Sequence, residues 1–292
     1  MRYEFIYEHP EYPVAKWVSF LQVSRSGYYS YLSGRKVRES KENALKKRVK
    51  DLFDESGGCY GPTRVVGVLR RLGEKASYHK ISRLMAEMGL CSIHNRYRSR
   101  SLTNSKKSRG LNLPNLVRGQ SFNAPYQAVC SDITYIRTGE GWLYLCVVKD
   151  IVTGEILGLA TSDNMRKELV IKAFLNAHAR HNLPIGIIHH SDRGSQYTSK
   201  EFIEMLAQLG VKQSFSRIGM PGDNTWAESF FATFKKERVH FNHFATRDEA
   251  AFATFAWIEG RYNNKRAQER LGFISPTEFR KSLLNKGLKS VA

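Results

Sequence analysis

Cysteine is scarce in this sequence: four in 292 residues, at Cys59, Cys91, Cys130 and Cys146, with no CxxC pair and no histidine at a matching interval. That excludes a zinc knuckle and a disulfide framework, and buried free thiols are the expectation. Apolar runs are short as well, none near the roughly 18 residues that span a bilayer. The amino terminus, MRYEFIYEHPEYP, carries three glutamates and lacks the apolar stretch of a signal peptide. A cytoplasmic protein with no membrane partner is expected. No heptad repeat is sustained, so a leucine zipper is not expected. Acidic residues are few, 27 Asp and Glu against 46 Lys and Arg, and between Glu87 and Asp132 there is none at all. The net charge of +19 and pI near 9.8 make a polyanion, nucleic acid above all, the leading partner.

The basic charge is unevenly shared. Residues 1–131 hold 24 Lys and Arg against 10 acids, and residues 132–292 hold 22 against 17. Short helical patterns occupy the amino-terminal part: PVAKWVSFLQ, SKENALKKRVKDLFDE, GPTRVVGVLRRLG with Pro62 opening a helix, and SYHKISRLMAEMGL. In the last, Ile81, Leu84, Met85 and Met88 fall on one face, leaving Lys80 and Arg83 on another. In QVSRSGYYSYL, Ser24 suits a cap and Gly27 a turn. Short helices with basic faces are similar to helix-turn-helix modules, a plain helical bundle being the alternative. The segment HNRYRSRSLTNSKKSRGLNLPNLVRG then mixes cations with Ser, Asn, Gly and Pro, as a flexible basic linker does. Its Arg96, Arg98, Arg100, Lys106 and Lys107 suit tracking along phosphates.

Beyond the linker the pattern turns to strands. YQAVCSDITYI, WLYLCVVKD and EILGLATS follow one another across TGEG and IVTG turns, as in an antiparallel meander. A helix from about Arg166 to Arg180 follows, then the strand IGIIHH, the helix SKEFIEMLAQLG, the strand VKQSF and the helix WAESFFATFKKERVHF. This order predicts an α/β fold whose mixed sheet takes its fourth strand in parallel.

Three carboxylates stand out. Asp132 lies inside the first strand, where an ionised side chain needs a compensating partner such as a cation. Asp192 follows the fourth strand, at the kind of strand end where α/β sheets build sites. Glu228, Ala232 and Lys235 share a face of the last helix, beside an apolar stripe of Trp226, Phe230 and Phe234. Asp223 reads as a turn or cap residue, and Glu201 and Glu204 lie on the preceding helix. His189 and His190 read as hydrogen-bonded structural groups. Arg193 and Gln196 either contact DNA or cap their loop, and Tyr262, Asn263 and Arg266 need no function at a helix end.

Asp132, Asp192 and Glu228, with thirty-five residues between the second and third, lie within SDITYI, HHSDRGSQYTS and GDNTWAESFFATFKKE. In that setting they resemble the DDE triad of insertion-sequence transposases. More narrowly, the chain resembles the OrfB product of the insertion-sequence-3 family, kin to retroviral integrases. PVAKWVSFLQVSRSGYYSYL, YGPTRVVGVLRRLGEKASYHKISRLMAEMGL and YNNKRAQERLGFISPTEF carry the likeness almost end to end, with one departure: Gln268 stands where the family usually has histidine.

The resemblance implies an α/β, ribonuclease H-like mixed sheet flanked by helices, preceded by a small helical region. It divides the chain into a helical DNA-binding region over 1–93, a basic linker over 94–122, a catalytic core over 123–240 and a helical extension over 241–292. It implies Mg²⁺-dependent cleavage and transfer of DNA strands, with Lys235 on a phosphate near the cut. Two ions roughly 3.5 to 4 Å apart suit in-line attack at phosphorus, Asp132 bridging both, Asp192 holding one and Glu228 the other, with Mn²⁺ as a substitute. The expected partners are double-stranded DNA, further copies of the chain on that DNA, and an upstream OrfA product as fusion or partner. Two alternatives stand beside this reading: a DNA-binding protein with a vestigial core, and a ribonuclease H-type nuclease, since fold does not fix function.

Overall fold

The computed structural model describes residues 2–96, 113–217 and 221–289. The chain forms two compact units, one of residues 1–65 and 77–91, the other of residues 66–76 and 92–292.

The first unit contains α1 (Arg2–Glu8), α2 (Val14–Phe20), α3 (Arg25–Glu55) and the start of α4 (Pro62–Arg71), then α5 (Tyr78–Glu87). Ser24 caps α3 by accepting the Gly27 N–H at 2.9 Å, and Ser77 caps α5 through the Lys80 N–H. Pro62 opens α4 as expected. Ile81, Leu84 and Met85 are buried on one face of α5. Two expectations are corrected. Gly27 lies in the first turn of α3 rather than in a connecting turn, and a side chain there would collide with the Tyr3 hydroxyl. The helix it opens runs 31 residues instead of being short. Nothing between Arg25 and Ser40 breaks it, and Arg35 ties successive turns through Glu39 at 2.7 Å while lying over the Tyr7 ring at 3.9 Å. The cations of α5 are partly offset, Arg83 and Lys80 both reaching Glu42, at 3.3 and 3.8 Å.

The second unit holds the rest of α4, α6 (Ile93–Arg96) and a five-stranded sheet. The strands are β1 (Ala128–Thr138), β2 (Gly141–Asp150), β3 (Ile156–Ser162), β4 (Ile188–Ser191) and β5 (Lys212–Phe215), in the spatial order β3-β2-β1-β4-β5. β1, β2 and β3 form the expected antiparallel meander, and β4 and β5 join in parallel. Helices α7 (Lys167–His181) and α8 (Lys200–Gln208) cover one face, packing Phe174 and Phe202 against Val129, Val148 and Leu157. Helices α9 (Thr225–Phe234) and α10 (Arg247–Trp257) cover the other, packing Phe230, Phe234 and Trp257 against Ile136, Leu145 and Val147. This is the ribonuclease H-like mixed sheet. The last helix, α11 (Pro276–Lys289), is tied to the sheet by Arg280 and Thr277, which donate to the buried Glu155 at 2.5 and 3.0 Å.

α7 lies so close to β3 that a Cβ on Gly158 would sit 2.5 Å from both the Ala173 carbonyl oxygen and the Ala177 nitrogen. Neither backbone atom can swing aside, so Gly158→Ala is expected to destabilise the core by about 1–3 kcal/mol. An unchanged denaturation midpoint would contradict that packing.

The helix read through WAESFFATFKKERVHF is interrupted. α9 stops at Phe234, and Lys235–Val239 form one π turn, in which the His240 N–H reaches the Lys235 carbonyl at 2.8 Å. All four cysteines are free, and Cys59, Cys130 and Cys146 are buried; Cys91, expected to be buried, is exposed in the turn after α5. No helix among the described residues is long and apolar enough to cross a membrane.

Candidate active site

Strand register brings the first two carboxylates together. Ala128, Val129 and Cys130 of β1 pair in parallel with Ile188, His189 and His190 of β4. The same offset carried two residues further sets Asp132 opposite Asp192. In parallel strands such partners project to one side. For both it is the side facing α9, since Cys130 packs on Ala227 and His190 meets the Trp226 ring edge-on. β4 ends at Ser191, so its pairing with β1 stops before Asp132 and leaves the aspartates at an open edge.

Three polar contacts, one buried and two partly so, then fix the start of α9. Asn224 donates to the Ser131 carbonyl at 3.2 Å, Lys149 of β2 donates to the Trp226 carbonyl at 2.5 Å, and His190 donates through Nε2 to the Asp223 carbonyl at 3.1 Å. All three anchored residues, Asp223, Asn224 and Trp226, closely precede Glu228 in sequence, and Glu228 occupies the first turn of the helix they hold.

The electrostatics show that these groups sense one another. Burial, then the nearby Asp192 charge and, more weakly, Glu228, push the Asp132 carboxyl up to about 7, against the Ile133 N–H and Lys235. Burial also raises Glu228, and it raises Asp192 although that residue is open to solvent by area, with the Gly194 N–H opposing at 2.9 Å. Burial lowers Lys235, and Asp132 opposes that shift. Lys235 stands at the first position of the π turn rather than deeper in an α-helix, and its charge still reaches Asp132.

This donor set fits a hard divalent cation. Carboxylates held up by burial, and in Asp132 also by the Asp192 and Glu228 charges, gain from Mg²⁺, which takes oxygen ligands and keeps its waters and substrate phosphates. Among the described residues no three of His, Cys, Asp and Glu are close enough to hold a single ion.

Other candidates are engaged elsewhere. Asp223 pairs with Arg217 at 3.0 Å and accepts from Asn115, and Arg217 holds its carboxyl down to about 2. Asp150 is buried and accepts the Tyr126 and Thr153 N–H groups and the Thr153 hydroxyl. His189 bonds Ser131 and His190 bonds Ser214, at 2.8 and 2.9 Å; burial drives their pKa values down to about 3 and about 4, so both stay neutral structural groups. Arg193 donates to the Ser216 and Leu113 carbonyls and Gln196 to the Met165 carbonyl, so both brace the loop after β4. Arg98, Arg100, Lys106 and Lys107 lie outside the described residues, as does the side chain of Arg96, whose backbone ends α6.

A second buried charge centre lies just beyond Lys235. Glu237 accepts from Arg266 at 2.8 Å and bonds His94 at 2.8 Å. Burial would raise its pKa, but His94 and Arg266 overcome that and hold it down to about 2. Asn263 caps the start of β3 through both Ile156 backbone groups at 2.9 Å. Sequence reasoning passed over Lys149, Asn224 and Glu237; a lysine inside the apolar run LYLCVVK was the available signal for the first. Gln268 is buried, and its Nε2 has no partner among the described residues.

Comparison with known proteins identifies the chain's relatives. Profiles described as integrase core domain match residues 123–221 and 228–284, and one described as HTH-like domain matches 40–98. The transposase for insertion sequence element IS904 of Lactococcus lactis is 38% identical over 81% of this chain and 93% of its own length. An uncharacterized 31 kDa protein of insertion element IS600 from Shigella sonnei is 38% identical over 88% and 95%. Transposase InsF for insertion sequence IS3A of Escherichia coli is 32% identical over 96% and 98%. With near full-length similarity to such relatives and integrase-core matches on both sides of the loop before α9, this chain belongs to the insertion-sequence-3 family of transposases.

Proposed function

We propose that this transposase cleaves and rejoins DNA strands at the ends of an insertion sequence, with Asp132, Asp192 and Glu228 as the catalytic carboxylates. The carrying observation is the electrostatic convergence of Asp192, Glu228 and Lys235 on Asp132 at the open edge of β1. Asp132 would hold two Mg²⁺ ions, Asp192 one of them and Glu228 the other, and Mn²⁺ would substitute. Such ions, when bound, supply Lewis-acid stabilisation of the attacking and leaving oxygens at phosphorus. Lys235 would hold a phosphate oxygen beside the cut, its partly desolvated ammonium placed where a polyanion replaces lost water. The basic segment containing Arg96, Arg98, Arg100, Lys106 and Lys107 would track the phosphates of the same duplex. Bringing two element ends together calls for at least two copies on DNA, and an OrfA product as fusion or partner would add end recognition.

The test is metal-dependent nicking of a duplex carrying the ends of the element, compared with an RNA/DNA hybrid of the same sequence. Cleavage confined to the hybrid would favour the ribonuclease reading, and tight duplex binding with no cleavage of either would favour the vestigial core. The pH dependence sharpens the test. Because the Asp132 carboxyl loses its proton only near pH 7, protons compete with the metal below that value. The Mg²⁺ concentration for half-maximal cleavage should fall as pH rises from 6 to about 7 and level off above. A pH-independent requirement would remove Asp132 from the metal site.

A further inference from the structure

Past the reach of β4, the β1–β2 hairpin presents a strip of side chains that the cleavage reading does not use. Ile133, Tyr135 and Arg137 alternate onto one face of β1, and Tyr144 and Trp142 share it from β2, with Tyr135 paired to Tyr144 and Arg137 to Trp142. Ile133 and Tyr144 are packed against the α7 core. Tyr135 and Trp142 lie beyond that cover, 53% and 46% exposed, their rings 4.9 Å apart in an edge-to-face pair. Arg137 is exposed beside them. The Lys235 ammonium stands over the Tyr135 ring at 5.0 Å and also feels the Asp132 charge. Two large aromatic surfaces are left open to water on a rigid hairpin, on the face of β1 opposite to Asp132, with Arg137 beside them and Lys235 linking them to the carboxylates past the open strand edge.

We propose that Tyr135 and Trp142 form a stacking platform for an unpaired nucleobase flanking the cleaved phosphate, a proposal that rests on the cleavage reading above. The chemistry matches each component. Aromatic faces accept any base, while cations beside them hold the phosphate that follows it. Lys235 serves both, touching the ring and standing on the side of the carboxylates, so a base seated on the platform would set the register of the adjoining phosphodiester against Asp132. Holding the terminal base out of its stack would also fray the duplex end, which an enzyme working at a DNA terminus needs.

The test uses the full chain and an element-end duplex with 5-iodouracil placed singly at each terminal position, irradiated without Mg²⁺ so that no cut is made. The expected result is a crosslink to Tyr135 or Trp142 from a base next to the scissile phosphate and none from bases deeper in the duplex. Tyr135→Ala and Trp142→Ala should each weaken binding of that end by about ten-fold, while Tyr135→Phe and Trp142→Phe bind as wild type. A blunt internal duplex should bind all five proteins alike. Crosslinks elsewhere, or alanine variants that bind the end as wild type does, would overturn the platform. Absence of metal-dependent cleavage by a wild-type chain that still crosslinks through these rings would overturn the cleavage reading instead. Failure of the wild type to bind any DNA would overturn both.

Discussion

Asp132→Asn should abolish strand cleavage and strand joining while leaving DNA binding intact. The amide keeps the shape of the side chain and removes the charge that both ions would share. Loss of metal-derived transition-state stabilisation, several kcal/mol, corresponds to at least about a thousand-fold in rate. The same substitution should stabilise the metal-free fold. The folded-state pKa of Asp132 is raised, to about 7, so its ionisation opposes folding: stability present at low pH is lost as pH rises from the ordinary carboxylate range through that value. The melting temperature of Asp132→Asn should therefore exceed that of the wild type at pH 8, and the gap should close near pH 4. A rate within ten-fold of wild type, or a variant less stable at pH 8, would contradict the assigned role and the electrostatics respectively.

Arg266→Met should be the most destabilising of the substitutions away from the carboxylates. Arg266 is 5% exposed and donates to both oxygens of Glu237, at 2.8 and 3.2 Å. Removing one partner of a buried ion pair strands the other charge, at a cost of about 3–5 kcal/mol. The pH dependence has the opposite sign to that of Asp132. The Glu237 pKa is depressed from 4.5 to about 2, so its contribution is present above pH 4.5 and lost as pH falls towards 2. The wild type should lose about 3 kcal/mol across that window from this group, and Glu237→Gln should show a shallower acid limb. Since the π turn carrying Glu237 begins at Lys235, loosening this centre should also reduce cleavage in molecules that remain folded. Chemical denaturation at pH 7 and pH 3 checks the point; equal stability of wild type and Arg266→Met would refute the pairing.

Much of this architecture could be read from local pattern. Alternation in YQAVCSDITYI placed Asp132 on a half-buried strand, the break after IIHHSD put Asp192 at a strand end, and the apolar stripe of WAESFFATF set Glu228 on a helix face. Each of those signals spans fewer than about a dozen residues, within reach of periodicity reasoning. What stayed hidden depends on distant partners. Lys149 resembles the charged end of a strand until α9 folds back to present the Trp226 carbonyl, 77 residues later. Glu237 resembles one more solvated helix charge in KKER until Arg266 and His94 close on it, across 29 and 143 residues. The π turn leaves no mark because FKKERVHF contains neither proline nor glycine, and a one-residue insertion is set by the packing on either side. Cys91 follows the buried face of α5 in sequence, but the turn at Gly89, with a φ of 66°, redirects the chain so that it faces solvent. The long α3 was missed for the complementary reason: Gly27 read as a turn, yet a helix tolerates a single glycine where the Tyr3 side chain needs the room.

The most direct test of the central claim compares the purified wild type with Glu228→Gln on duplex DNA bearing the ends of its own element, with binding, nicking and strand joining followed side by side in Mg²⁺. Glu228 is the one carboxylate of the three that lies on a helix, and only the folded α9 can deliver it. The account predicts that both proteins bind the DNA equally and that only the wild type nicks and joins it. Equal nicking by Glu228→Gln would contradict the account, since the third carboxylate would then lie elsewhere.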